Sequence, residues 1–282
     1  MSGQIVFLNG EYLPIEAARV PVLDRGFIFG DGIYEVVPVY AGRPFRWPQH
    51  RARLARSLAK VGIADPLDDD GWSALVRTLI ARHPWTDQFV YLQVTRGVAR
   101  RDHAFPKDVA PTVFGMSSEL KPVPAAQREG GASAVSLPDE RWLHCDVKST
   151  SLLGNVLAKQ AAVEAGADEC VMFRDGFLTE GSSSTVWVVR HGRVLCPPRD
   201  NLILEGIRIG LFAELCASAG LPFEHRRILR EEVHAADELL MSSATKEVVA
   251  ITRLDGRPVG DGRPGPVYRQ LYDAYQRAKA DG

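Results

Sequence analysis

Three short stretches in the second half of the chain constrain its fold more than any other feature. VMFRDGFL, WVVRHGRVL and ITRLDGRPV each place a two-residue turn, Asp175-Gly176, His191-Gly192 and Asp255-Gly256, between runs rich in β-branched and aromatic residues. A two-residue hairpin loop needs positive φ at its central positions, so such turns bind the flanking runs into antiparallel pairs. Helical spacing interrupts these strands in three places. SLLGNVLAKQAAVEAG (151–166) predicts a helix with Leu152, Leu153, Val156, Leu157 and Ala161 facing inward and Gly166 as C-cap, and two further helices are predicted near 206–219 and 266–279. The second half therefore reads as a mixed α/β domain.

The first half has a different make-up. IYEVVPVY (33–40) reads as a strand entering a hairpin at AGRP, with Pro38 confining it to an edge or a bulge. Pro48 then opens a helix over 48–61 in which Leu54, Leu58 and Val61 share a face, and Trp72, Leu75, Val76, Leu79 and Ile80 mark a second helix. Strands follow at QFVYLQVT (88–95) and PTVFGM. This is an α+β pattern, and it ends at SSELKPVPAA (117–126), where two prolines among polar residues suggest a linker. The expected organisation is a small α+β domain over 1–119, a linker at 120–124 and a larger domain over 125–282, barrel-like in its sheet and flanked by helices.

Composition excludes several classes of partner. A formal charge of −1, with arginines spread among acids, lacks the basic excess that grips nucleic acid or anionic lipid. MSGQIVFLNGEYLP has neither the basic segment nor the apolar core of a secretory signal, and no apolar run approaches the roughly 18 residues that span a bilayer. A cytoplasmic protein is expected. Cys145, Cys170, Cys196 and Cys216 form no CxxC pair, which fits reduced buried thiols and no metal site.

Only seven of the 34 basic residues are lysines. Lys148, in DVKSTS, follows the apolar stretch RWLHCDV and precedes a predicted helix, a setting that partly encloses its side chain. Burial favours the neutral, nucleophilic amine, which arginine cannot supply. The same position also fits a lysine whose head snorkels to solvent. TEGSSSTVW (179–187) offers a carboxylate, Glu180, ahead of a loop of small hydroxyl residues, and Gly206 in LILEGI opens a helix whose free N–H groups suit a phosphate. A hydrophilic hairpin loop and an ordinary helix start are the plainer readings of these two.

Five segments in this order and spacing, DRGFIFGDGIYEVV, YLQVTRG with RRDHAFP, RWLHCDVKSTSLLGNVLAKQ, TEGSSSTVW and LILEGI, together resemble the class IV, or fold type IV, pyridoxal-phosphate (PLP) aminotransferases. The D-amino-acid-specific members are the nearest in pattern. The resemblance implies a two-domain fold type IV enzyme, active as a homodimer, that transfers an amino group between a D-amino acid and a 2-oxo acid, of the D-alanine and 2-oxoglutarate type. It assigns Lys148 as the lysine that holds PLP as an internal aldimine and Glu180 as the carboxylate facing the pyridine nitrogen. Arg53, Ser183, Ile207, Arg208 and, in the loop SSATKE, Ala244 fall at phosphate- or cofactor-binding positions, with Leu204 against the ring. Tyr34, Arg101 and His103 correspond to the trap for the substrate carboxylate, which in close relatives reaches the neighbouring subunit's site.

Two positions depart from the pattern. Arg208 stands where a threonine whose hydroxyl binds phosphate is usual, and Lys246 where a serine is usual. Arg208 is expected to add a second cation near the phosphate or to turn its side chain to solvent. Branched-chain L-aminotransferases, (R)-amine transaminases and aminodeoxychorismate lyases share the lysine and the glutamate, and the Arg101-x-His103 pair is what favours D-amino acids. A non-enzymatic phosphate-ligand binding protein is the alternative from another class.

Overall fold

A computed structural model describes residues 3–281. The chain divides into two compact units, one made of the residues up to Lys121 together with Val147–Leu152, the other of Pro122–Asp146 and the residues from Leu153 on. The excursion at 147–152 carries Lys148 into the first unit. Composition gave no sign of it, because a six-residue segment that pairs with a distant strand has no pattern of its own.

In the first unit the chain runs β1 (Ile5–Leu8), β2 (Glu11–Pro14), α1 (Arg25–Phe29), β3 (Gly32–Tyr40), β4 (Arg43–Pro44), α2 (Trp47–Lys60), α3 (Asp69–Ala81), β5 (Gln88–Thr95) and β6 (Thr112–Glu119). The six strands form one sheet in the order β2-β1-β6-β5-β3-β4, every pair antiparallel. Ala41 and Gly42 take φ of 49° and 74° at the β3–β4 turn, and Pro38 lies just beyond the short pairing with β4, where no ladder donor is needed. Helix α2 begins with Pro48 in its first turn, and Asp68 caps α3 by accepting from the Gly71 N–H at 2.8 Å. Leu54 and Leu58 from α2 and Trp72, Leu75, Val76 and Leu79 from α3 bury against Ile33, Val37, Val90 and Leu92 of the sheet.

The second unit contains α4 (Ala125–Gly130), β7 (Ala132–Pro138), α5 (Leu153–Glu164), β8 (Glu169–Arg174), β9 (Phe177–Leu178), β10 (Thr185–Arg190), β11 (Arg193–Cys196), α6 (Ile207–Ser218), β12 (Phe223–His225), α7 (Arg230–His234), β13 (Glu238–Ser243), β14 (Glu247–Leu254), β15 (Arg257–Pro258) and α8 (Pro266–Asp281). Its nine-stranded sheet is mixed, with parallel pairs at β7–β8, β7–β14 and β11–β12. The three hairpins form at the expected turns, with φ of 51° and 80° at Asp175-Gly176, 50° and 72° at His191-Gly192, and 51° and 75° at Asp255-Gly256. Strands β8, β10 and β13 are buried almost residue by residue, so both faces of the sheet are covered. Val171, Val186, Val188, Met241 and Val249 share one core cluster, while Trp187 stacks on Phe212 of α6 with ring centroids 4.3 Å apart. The four cysteines are buried and unpaired, and among the described residues no helix is long and apolar enough to cross a membrane.

The inward face of α5 is corrected by the structure. Leu153, Val156 and Leu157 point outward, and the helix instead sets Ala158 and the fully buried Ala162 against Cys170 and Met172 of β8. Small residues let a helix approach a sheet closely, so the inward stripe here is the less hydrophobic one. The helix also begins at Leu153 rather than 151.

Gly97, just after β5, takes φ of +101°, and its carbonyl accepts from the Arg25 N–H at 2.9 Å. A Cβ there would lie 2.1 Å from the Ala110 carbonyl oxygen. Gly97→Ala therefore combines a forbidden φ with a backbone collision. We expect a loss of roughly 2–4 kcal/mol in urea or thermal unfolding. A variant as stable as the wild type would show that this turn relaxes freely.

Candidate active site

The segment that carries Lys148 adds itself to the edge of β3. The Tyr34 N–H donates to the Lys148 carbonyl and the Thr150 N–H to the Gly32 carbonyl, both at 2.9 Å, while the Lys148 N–H reaches Ser57 Oγ at 3.3 Å. This explains the glycines of FGDG. Gly30 has φ of +65° and a Cβ there would meet Ser151 Oγ at 2.7 Å, and a Cβ on Gly32 would meet the Val94 carbonyl oxygen at 2.8 Å. Thr150 and Ser151 use this space to donate their hydroxyls to the Gly30 carbonyl at 2.9 and 3.0 Å. The pairing leaves Lys148 Nζ 4.2 Å from the centre of the Tyr34 ring, which stacks in turn on Tyr91. Among the described residues no carboxylate lies within ion-pair distance of this amine.

Arg53 is not a flank residue of α2. It is buried, next to Leu54 and one turn before Ser57, because Glu35 on β3 receives it there: Arg53 Nε donates to Glu35 Oε2 at 3.0 Å, Nη2 to Oε1 at 2.5 Å, and His50 Nδ1 lies 2.9 Å from Oε1. Burial alone would raise the Glu35 carboxyl, but the charges and hydrogen bonds of Arg53 and His50 outweigh it and hold the group well below the usual carboxylate range. Glu35 was missed in the sequence, since a strand written IYEVV shows one acid and nothing about which face it occupies.

Arg101 and His103 lie in an irregular, exposed segment rather than an extended strand. Both nevertheless meet one ring, with the Arg101 guanidinium 5.4 Å and the His103 ring 5.5 Å from the centre of Phe29.

The second unit brings together the remaining candidates. Glu180 is 8% exposed and is held by Arg141, whose Nη1 donates to Oε1, and by the Leu204 N–H, which donates to Oε2 at 3.1 Å. Arg141 also grips Asp139 through Nε and Nη2 at 2.9 and 2.8 Å. Burial pushes the Glu180 carboxyl above its ordinary value, and Arg141 opposes that shift. Arg141 lay within a quoted motif, RWLHCDVK, yet nothing in the sequence tied it to a glutamate 39 residues on.

A second buried acid organises the serine loop. Glu169 accepts the Ser182 N–H at 3.1 Å and the Ser182 hydroxyl on Oε1, and the Ser184 hydroxyl on Oε2 at 3.1 Å, while Lys246 Nζ stands 3.7 Å from Oε2. Gly181 has no room for a side chain, since a Cβ would meet Ser184 Oγ at 2.3 Å. With its neighbours turned inward, Ser183 is the exposed hydroxyl of the loop. Gly206 caps α6 without a side-chain bond, so the first N–H groups, at Ile207 and Arg208, carry the helix's positive end. The Arg208 side chain does not turn to solvent. Its guanidinium is buried 5.5 Å from the Tyr275 ring centre, and Nη2 donates to the Ala244 carbonyl at 3.4 Å, tying α6 to the loop before β14.

Each unit by itself offers groups that suit PLP: the first an amine for its aldehyde, the second a buried carboxylate for its ring nitrogen and an exposed hydroxyl and an uncapped helix start for its phosphate. Comparison with known proteins agrees with that chemistry. Residues 32–254 match the family model Amino-transferase class IV. The chain is 37% identical over 273 residues to a D-alanine aminotransferase of Bacillus licheniformis, covering 97% of this chain and 96% of that one. In structure it is similar to the branched-chain amino acid aminotransferase of Escherichia coli (TM-score 0.92, 23% identity, 97% and 94% of the two chains), a likeness of fold. It is also similar to a fold IV transaminase from Curtobacterium pusillum (TM-score 0.83, 26% identity, 96% and 93%). The family match spans the lysine segment, the serine loop and the uncapped helix alike, and the chain belongs to the class IV aminotransferases.

Proposed function

We propose that the protein is a PLP-dependent aminotransferase that moves an amino group between a D-amino acid and a 2-oxo acid. The observation that carries this reading is the near full-length similarity to D-alanine aminotransferases, and the convergence of Arg101 and His103 on Phe29 supports it. PLP, when bound, supplies the aldehyde that takes up the amino group and the ring that spreads the electron pair left at the substrate Cα.

The chain's own residues do the rest. Lys148 would be the residue that holds the cofactor's aldehyde, and its amine, when free, would carry the proton taken from the substrate Cα. Glu180 keeps a proton on the ring nitrogen, and Arg141 holds that carboxylate in place. Arg53, Ser183, the N–H groups of Ile207 and Arg208, and the loop at Ala244 would hold the phosphate, and Leu204 would face the ring. Tyr34, Arg101 and His103 hold the substrate carboxylate. The side on which they hold it decides which enantiomer presents its Cα hydrogen to Lys148. In this reading Arg208 supplies backbone N–H alone, since its side chain is committed to the loop before β14.

A homodimer follows from the same reading. Leu153, Val156 and Leu157 are 71%, 58% and 61% exposed and form an i, i+3, i+4 stripe along α5, with Trp142 and Leu143 also exposed in the same unit. A second copy of the chain covers this stripe, and the Arg101–His103 segment serves the neighbour's site. Free buried thiols fit a reducing compartment, the cytoplasm.

Lys148→Ala is expected to abolish turnover and the visible absorbance of the loaded protein while leaving the melting temperature close to wild type. Transamination by this variant would remove the central assignment, and borohydride fixation of cofactor at Lys159 or Lys246 would move it. Glu180→Gln keeps the shape and removes the charge, so PLP should remain bound while the single-turnover rate falls about tenfold or more, equal to roughly 1.4 kcal/mol of transition-state stabilisation. An unchanged rate would end the proposed role of Glu180. Arg101→Ala should lower kcat/KM for D-amino acids roughly ten- to a hundredfold, in line with the about 1.5–3 kcal/mol that a hydrogen bond to a charged group contributes. Mixing inactive Lys148→Ala and Arg101→Ala chains should restore activity, because one site of a mixed dimer carries neither defect. Wild-type preference for L-amino acids, or no recovery after verified subunit exchange, would contradict the D-specific or the shared-site reading respectively.

A further inference from the structure

We propose that Asp31, clamped between Arg25 and Arg96, is a positioning residue that holds the Arg101–His103 segment in place through the Arg25 guanidinium, and so sets the enzyme's affinity for the substrate carboxylate. The inference rests on the carboxylate role given to Arg101 and His103 above. The segment needs such an anchor because residues 101–105 are exposed and belong to no helix or strand. Two tethers come from buried arginines. Arg25, 3% exposed, donates from Nη1 to the Asp102 carbonyl at 2.5 Å, and its Nη2 lies 3.5 Å from the His103 carbonyl. Arg96, 7% exposed, places its guanidinium 3.6 Å from the centre of the Phe105 ring.

Neither arginine is free to move. Arg25 Nε donates to Asp31 Oδ2 at 2.7 Å, which turns the far edge of the guanidinium toward the loop carbonyls. Arg96 grips the same carboxylate with Nε and Nη2 at 2.8 and 3.0 Å and reaches the Val61 and Gly62 carbonyls at 2.7 and 3.0 Å. One carboxylate thus neutralises one of two buried guanidinium charges, and carbonyl oxygens, including those of the loop, take up the donors that remain. Phe29 completes the linkage: its ring lies under Arg25 at 4.8 Å and also meets Arg101 and His103. Without the Asp31 charge the two guanidinium groups repel, Arg25 loses its orientation, and a carboxylate site that demands sub-ångström placement loosens.

Arg25→Lys tests this with folding preserved, since an ammonium can still pair with Asp31 but cannot also span to the loop carbonyls; Asp31→Asn is the second variant. Limited trypsinolysis of the PLP-loaded protein, read by mass spectrometry, should show cleavage after Arg100 and Arg101 at least tenfold faster in either variant, with PLP absorbance and the melting temperature of Arg25→Lys unchanged. KM for D-alanine and the inhibition constant of propionate, which has the carboxylate but no amino group, should both rise about tenfold while kcat moves less than threefold. Wild-type cleavage rates in Arg25→Lys would overturn the anchoring. Faster cleavage with unchanged KM and propionate inhibition would overturn the link to substrate. Arg101→Ala, run in parallel, separates the two readings: if it alone leaves KM and propionate inhibition unaltered, the carboxylate role of Arg101 fails and the link to substrate with it, while proteolysis still decides the anchoring.

Discussion

The pairing of residues 147–152 with β3 is the interaction on which the rest of the first unit's chemistry depends. Two backbone hydrogen bonds, Tyr34 N–H to Lys148 and Thr150 N–H to Gly32, bring a segment more than a hundred residues distant in sequence onto the strand that carries Tyr34 and Glu35. The close approach requires Gly30 and Gly32, whose missing side chains leave room for Ser151 and Thr150. It also explains how Lys148 is presented. A lysine on a flexible loop sweeps a wide arc, whereas one set beside a strand edge, with Val147 buried in the core just before it, has its backbone held.

Buried carboxylates organise both units by the same device. Glu35, Asp31, Asp139 and Glu180 are each held by arginine, and Glu169 by serine hydroxyls, backbone N–H groups and Lys246. An isolated acid as deep as Glu35 or Asp139 would take up a proton; the guanidinium groups beside these two lower their carboxyls and set their direction. The arginine-rich composition thus has a structural use. Lys148 stands outside this scheme: its amine faces the Tyr34 ring and, among the described residues, forms no ion pair.

Local chemistry was legible in the sequence wherever a few neighbouring residues decide the outcome. The three hairpin turns stand at Asp175, His191 and Asp255 as their residue types require, α2, α6 and α8 begin and end within about two residues of their predicted bounds, and the apolar residues that mark a second helix all fall within α3. The inward face of α5 was not legible, because apolar residues lie on both of its sides and only the sheet chooses between them. Alanine gained the sheet side by its size, and leucine was left outside. The arginine at 208 misled for a related reason: its number places it at a helix start, but its long side chain reaches Tyr275 and Ala244, partners no local pattern announces.

What the sequence by itself determined was the set of hairpins and helices, the lysine, the glutamate beside the serine loop, and the order of motifs that marks the family. These depend on backbone preference, hydrophobic period and residue chemistry, all of which act over a few positions. Tertiary structure alone decided that residues 147–152 leave the second unit for the first. It also decided which arginine holds which acid, and that Asp31, Glu169 and Arg141 stand behind the residues that the motifs name. Each of these rests on a contact between groups far apart in the chain, and the charge pairs among them are strong only because folding removes the water that would screen them.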